Sequence, residues 1–114
     1  MNDCLFCKII KREIPSTIVY EDNNVLAFED INPVAPIHIL IIPKTHISSV
    51  NDLDENNKNI VGDIHLAAKK IAKQAGVSEK GYRLINNCGE GAGQTVMHLH
   101  YHLIGGVEMD TKII

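Results

Sequence analysis

Nothing in this sequence is apolar for long enough to cross a membrane as a helix, which takes about 20 consecutive apolar residues. The opening MNDCLFCKII is a short apolar stretch interrupted by Lys8, and it lacks the longer apolar core expected of a secretory signal. A basic stripe is missing as well. Acidic and basic residues mix along the chain and the formal net charge is -3, which argues against duplex nucleic acid as a partner. A disulfide framework is not expected either: Cys4, Cys7 and Cys88 make an odd count without secretory context, favouring reduced thiols or metal ligands in a reducing, cytoplasmic compartment. No repeat, linker or low-complexity tract divides the chain. With 114 residues and 45% hydrophobic composition there is enough for one core and little for a second, so residues 1–114 are expected to form a single domain.

What is present reads as an α+β arrangement. Phe6, Ile9, Ile10 and Ile14 recur at helical spacing across residues 4–14, and Pro15 ends that short helix. Two β-prone runs, Ile18 to Glu21 and Val25 to Glu29, flank the turn cluster Asp22-Asn23-Asn24 and predict a hairpin. Residues 30–36 contain Pro33 and Pro36 and form a loop leading into Ile37 to Ile42, a buried central strand. From Asp54 to Ala75, Ile60, Val61, Ile64, Ala68, Ile71 and Ala75 step by three and four, with Gly76 as C-cap, which predicts one long helix. Tyr82 to Asn87 and Met97 to Ile104 complete a five-stranded antiparallel sheet, and residues 107–114 form a tail that could serve as an interface arm.

The chemistry concentrates in His98-Leu99-His100-Tyr101-His102. Side chains two apart on a strand share a face and lie roughly 7 Å apart, so three imidazoles point one way while Leu99, Tyr101 and Leu103 face the core. With ordinary pKa values of about 6.5, such a cluster can supply a neutral nucleophile, a proton donor and a cation for phosphate oxygens. A solvated strand face or a plain metal cluster would also place three histidines in register. Just upstream, Gly89, Gly91 and Gly93 allow the backbone to turn sharply and to present N–H groups to an anion. No lysine follows as in a P-loop, and no helix follows as in a dinucleotide fingerprint. Alone, the loop could be ordinary turn punctuation.

Residues 91–106, GAGQTVMHLHYHLIGG, resemble the signature of the histidine-triad family, and Phe6 to Pro15, Leu26 to Ile31 and Pro36 to His46 are similar to matching stretches of its nucleotide-binding branch. The resemblance runs from Cys4 to Gly106. It implies a HIT-like fold, a homodimer that joins two sheets, and a pocket for a purine nucleoside monophosphate such as AMP. It implies hydrolysis of nucleoside 5′-phosphoramidates, with His100 as nucleophile through a covalent nucleotidyl-histidine, His102 on the phosphate and His38 supporting the triad. Asn87, Gly93, Gln94, Thr95 and Val96 correspond to positions lining the phosphate site. Thr95 keeps a hydroxyl where close relatives commonly have serine. Asp30 corresponds to the ribose-binding carboxylate, with Phe6, Ile9, Phe28, Ile31 and Leu40 around the base; for these apolar residues core packing is an equal expectation. The family chemistry needs no metal. A nucleotide-binding adaptor with incidental activity, or a dinucleoside polyphosphate hydrolase, are the alternative activities.

Cys4 and Cys7 have the C-x2-C spacing that lets two thiolates hold one zinc, and His46 and His98 are the candidates for the other two ligands. Family members that keep both cysteines resemble this set, which implies a structural Cys2His2 zinc. Two free thiols are the alternative. A redox pair would need a βαβ setting that the sequence does not provide. Cys88 is expected to be a free thiol and His65 a helix-surface residue.

Overall fold

The computed structural model describes residues 3–114. Five strands, β1 (Ile18–Glu21), β2 (Val25–Glu29), β3 (Ile37–Pro43), β4 (Tyr82–Asn86) and β5 (Tyr101–Gly105), form one antiparallel sheet in the order β1-β2-β3-β5-β4. Two helices accompany it, the short α1 (Leu5–Ile10) and the long α2 (Asn59–Gln74), together with 3₁₀ turns at Val50–Asp52 and Glu90–Ala92. The expected α+β architecture is borne out, and the Ile37 run is the middle strand.

Because side chains alternate across a strand, an uninterrupted apolar run feeds two separate cores. Ile39 and Ile41 of β3, with Val25 and Ala27 of β2, pack against Ile64, Ala68 and Ile71 of α2. Leu40 and Ile42, with Leu26 and Phe28, pack on the opposite face against Phe6 and Ile9 of α1. Leu99 and Leu103 belong to the α2 side. The odd positions around β5 therefore anchor the segment and the even ones, the histidines, are delivered to the α1 side.

Three boundaries differ from the sequence expectation. α2 begins at Asn59 instead of Asp54. The Asp54 carboxylate accepts the backbone N–H groups of Asn56 and Asn57, and Asn57 Oδ1 accepts that of Asp54, so residues 54–57 close a turn of their own. Short polar side chains compete with a helix in this way. α1 stops at Ile10, before Pro15 can act: Arg12 takes φ 65, and the N–H groups of Arg12 and Glu13 bond to the carbonyls of Ile9 and Lys8. This is a Schellman ending with arginine in the place usually taken by glycine. The same motif ends α2 as expected, with Gly76 at φ 77 and Val77 N–H on Ala72 O. Finally, β5 begins at Tyr101, not Met97. Residues 97–100 leave the ladder because Leu99 N–H bonds to Ile47 O at 2.6 Å and His98 N–H to Val96 O at 2.9 Å.

At the far end of β5, a Cβ on Gly105 would lie 3.0 Å from Val77 Cγ1 and 3.2 Å from Val77 Cβ. Gly105→Ala should lower stability by about 1–3 kcal/mol through overpacking. In urea denaturation, a double-mutant cycle with Val77→Ala should show the two changes coupled, the alanine at 105 costing less when Val77 is shortened.

Candidate active site and metal cluster

The three histidines of the motif share the α1 side of the sheet. Phe6 touches two of them edge-on, with ring centroids 5.8 Å from His98 and 5.1 Å from His100, and His100 lies 5.3 Å from His102. The order of burial is 0% exposure for His98, 5% for His100 and intermediate for His102. Each ring is oriented by a main-chain group or by another imidazole.

His100 Nδ1 lies 2.8 Å from the carbonyl oxygen of His98. A carbonyl only accepts, so Nδ1 carries the proton and Nε2 keeps its lone pair. Among the described residues Nε2 has no hydrogen-bond partner, which leaves it available to a ligand. His38 and His102 form a directed chain. Val34 N–H donates to His38 Nδ1 at 3.1 Å, so in the neutral ring the proton sits on His38 Nε2, which donates to His102 Nδ1 at 2.9 Å. His102 then carries its proton on Nε2. Burial, with His100 and His38 adding to it and Asp30 opposing, holds the His102 pKa below the ordinary histidine value, which keeps that ring neutral. Asp30 Oδ2 sits 3.4 Å from His38 Nε2, and Asp30 Oδ1 accepts Asn32 N–H at 2.8 Å. The donor atoms of Asp30, His38 and His102 lie within 4.8 Å of one another. This trio makes a poor cation site, because Val34 N–H occupies the one free lone pair of His38.

The glycine loop is held from inside by Gln94, which is 3% exposed. Its Oε1 accepts Gly89 N–H at 2.9 Å, and its Nε2 donates to Ser48 O and Val96 O at 2.7 and 3.1 Å. Gly89 and Gly93 both have φ 91, a region that favours glycine. Asn87 is close to Gly93, Val96 is half-buried against the α1 core, and Thr95 is exposed. Of the apolar residues singled out for the base, Phe6, Ile9, Phe28 and Leu40 are buried together, whereas Ile31 is 89% exposed on the loop after Asp30.

A second cluster adjoins the first. Cys4 Sγ lies 3.3 Å from His98 Nδ1, Cys7 Sγ lies 3.3 Å from His46 Nδ1 and 3.6 Å from His98 Nδ1, and all four donor atoms fall within 4.8 Å of each other. Metal bonds of about 2.0–2.3 Å in a tetrahedron place ligand atoms roughly 3.3–3.8 Å apart, so the set fits a metal with little adjustment. The outer nitrogens support the same reading. His98 Nε2 donates to Pro43 O at 2.8 Å and His46 Nε2 lies 3.4 Å from Ser48 Oγ, which turns both Nδ1 lone pairs inward. Burial pushes the His98 pKa down to about 4, keeping the ring neutral as a ligand must be. Burial and then the Cys4 side chain push the Cys7 thiol up, so a cation is what would hold the pair as thiolates. Cys4 also caps α1, accepting Cys7 N–H at 3.3 Å.

Several orienting groups escaped the sequence reading. Pro43 and Val34 act through backbone atoms, which residue type does not reveal. Asn86, whose Nδ2 donates to His100 O at 2.9 Å, was passed over for its neighbour Asn87. A polar amide in a β-strand was the available signal, since asparagine is depleted there. His65 sits on α2 with its ring 5.2 Å from Tyr101, and Cys88 is a free thiol of intermediate exposure.

Comparison with known proteins agrees with this geometry. The HIT domain model matches residues 11–109. A purine nucleoside phosphoramidase of Escherichia coli strain K12 is 52% identical over 105 residues, covering 92% of this chain and 88% of its own length. A HIT family hydrolase from Clostridium thermocellum superposes with TM-score 0.98 at 62% identity, over 100% of this chain and 99% of that one. A histidine triad protein from Clostridium difficile superposes with TM-score 0.95 at 51% identity, over 99% and 98% of the two chains. Sequence and fold thus agree, and this chain belongs to the HIT domain family.

Proposed function

We propose that this protein is a hydrolase of purine nucleoside 5′-phosphoramidates, acting through a covalent nucleotidyl intermediate on His100. The observation that carries the reading is the His100 ring, pinned through Nδ1–H to the His98 carbonyl with Nε2 free. The 52%-identical purine nucleoside phosphoramidase supports the substrate class. In the first step Nε2 attacks the α-phosphorus, the P–N bond of the substrate breaks, and the nitrogen departs as the amine after taking a proton from solvent, which the attacking water of the second step returns. In the second, water attacks the same phosphorus, the P–Nε2 bond breaks, and the nucleoside monophosphate is released with His100 restored. Two displacements replace one difficult hydrolysis.

The remaining groups bind and orient. His102 Nε2–H donates to a phosphate oxygen, and because its ring is neutral this is a hydrogen bond fixed in direction by His38. His38 acts through His102. Asn87, Gly93, Gln94, Thr95 and Val96 form the phosphate rim, the buried amide of Gln94 holding the loop in shape. The Thr95 hydroxyl stands on the side of the leaving amine. Asp30 takes the ribose hydroxyls, and the base lies by Ile31 against the wall made by Phe6, Ile9, Phe28 and Leu40.

Cys4, Cys7, His46 and His98 would hold a structural zinc, whose part is to tie α1 to the segment before β5 and to keep the thiols ionised. The chain would act in the cytoplasm as a homodimer, in keeping with the unpaired edge of β4 and with Leu66 of α2, 62% exposed. No helix among the described residues is long and apolar enough to cross a membrane.

Purified protein should hydrolyse adenosine 5′-monophosphoramidate, and His100→Ala should reduce kcat by about 10³-fold or more while AMP still binds. Equal turnover in the two proteins would sink the nucleophile assignment, and inactivity of both alongside AMP binding would favour an adaptor. Imidazole ¹⁵N spectra should show His102 protonated on Nε2 with a midpoint below the ordinary value of about 6.5. Since this pKa is lowered on folding, the associated stability is present above pH 6.5 or so and is lost as pH falls through the folded value. Elemental analysis should give one zinc per chain, absent in Cys7→Ser. A chelator should lower Tm, each lost kcal/mol costing about 4 °C at this size.

A further inference from the structure

We propose that Asn86 is a positioning residue for the nucleophile, holding the His100 peptide where the strand ladder ends. The inference rests on the reading of His100 given above.

Asn86 is the last residue of β4 and lies opposite Tyr101, the first of β5. Past that pair β4 and β5 part, and among the described residues the segment carrying His98 and His100 has no strand on its β4 side. Two isolated bonds take the place of the ladder. Leu99 N–H reaches Ile47 O at 2.6 Å on one side, and Asn86 Nδ2–H reaches His100 O at 2.9 Å on the other. The acceptor is a carbonyl, so the amide nitrogen must be the end of Asn86 that faces it.

The ring of His100 is fixed relative to the His98 carbonyl, a group of the same segment, which is itself anchored through the His98 ring on Pro43 O and Leu99 N–H on Ile47 O. Those bonds set the tautomer and hold the preceding residues, but none of them holds the carbonyl of His100 itself. Phe6 confines one side of the ring, 5.1 Å away. Asn86, half-buried at the end of β4, ties the nucleophile's own peptide to the sheet. Displacement of a reacting group by about 1 Å can cost on the order of 100-fold in rate, so one lost tether shows in chemistry before it shows in binding.

Asn86→Leu keeps the size and removes the donor; Asn86→Asp keeps the shape and places an acceptor against an acceptor. Both variants, full-length and zinc-loaded, are assayed with adenosine 5′-monophosphoramidate. Single-turnover labelling of His100 and kcat should fall by about tenfold or more, with AMP Kd within about twofold of wild type. The His100 Nδ1 proton, followed by ¹H–¹⁵N spectroscopy, should exchange with water faster. Unchanged kcat and exchange would overturn the proposal, as would kcat, Kd and Tm worsening in step, the mark of a merely structural role. Should Asn86→Leu not fold, Asn86→Asp carries the same comparison. Should wild-type protein lack turnover altogether, the hydrolase reading fails separately, and proton exchange alone decides for or against Asn86.

Discussion

His98, a fully buried imidazole, joins the two chemical centres of this protein. Its Nε2–H is spent on the Pro43 carbonyl, its Nδ1 lone pair faces Cys4 and Cys7, and its own carbonyl takes the Nδ1 proton of His100. Were the ring to turn over, a lone pair would meet the Pro43 carbonyl, so one orientation is strongly preferred. In this chain the first histidine of the motif is engaged at both ring nitrogens, while the second is held at Nδ1 and keeps Nε2 free. Phe6 serves both as well, rising from the helix that carries the cysteines to pack on His98 and His100.

Neutral histidines are useful because each has one donor and one acceptor, and hence a direction. Around this site the direction is imposed by main-chain groups: the carbonyls of Pro43 and His98, and the N–H of Val34. Burial reinforces the effect by disfavouring charge on His98 and His102. The site is thereby preorganised by main-chain groups. This suits a reaction whose protein component is mostly placement and oriented dipoles.

The period-two pattern of His98, His100 and His102 against Leu99, Tyr101 and Leu103 was legible because one face had to be buried under α2. The same pattern over-extended β5. Residues 97–100 keep the alternation of faces but bond to Ile47 and Val96, and periodicity carries no information on where a backbone finds its partner. Likewise, the helical spacing after Asp54 was real only from Asn59, where Asx side-chain bonds stop competing. The C-x2-C pair pointed to its cluster, since its spacing reflects a local helical turn, and the histidines were few enough to nominate. Asn86 and Val34 were missed for the opposite reason. Each acts on a residue whose nearness depends on the completed fold.

The contact between Cys4 and His98 spans 94 positions of sequence. During synthesis, at about 5–20 residues per second, the cysteines therefore precede their second imidazole by roughly 5 to 20 seconds. α1 can settle on β2 and β3 as soon as those strands pair, because Leu26, Phe28, Leu40 and Ile42 already offer it a floor. Its outer side stays open until the last strand arrives. The helix that carries the cysteines is thus made well before the imidazole that completes its cluster, and for that interval its two thiols are reachable by whatever metal or oxidant the surroundings hold.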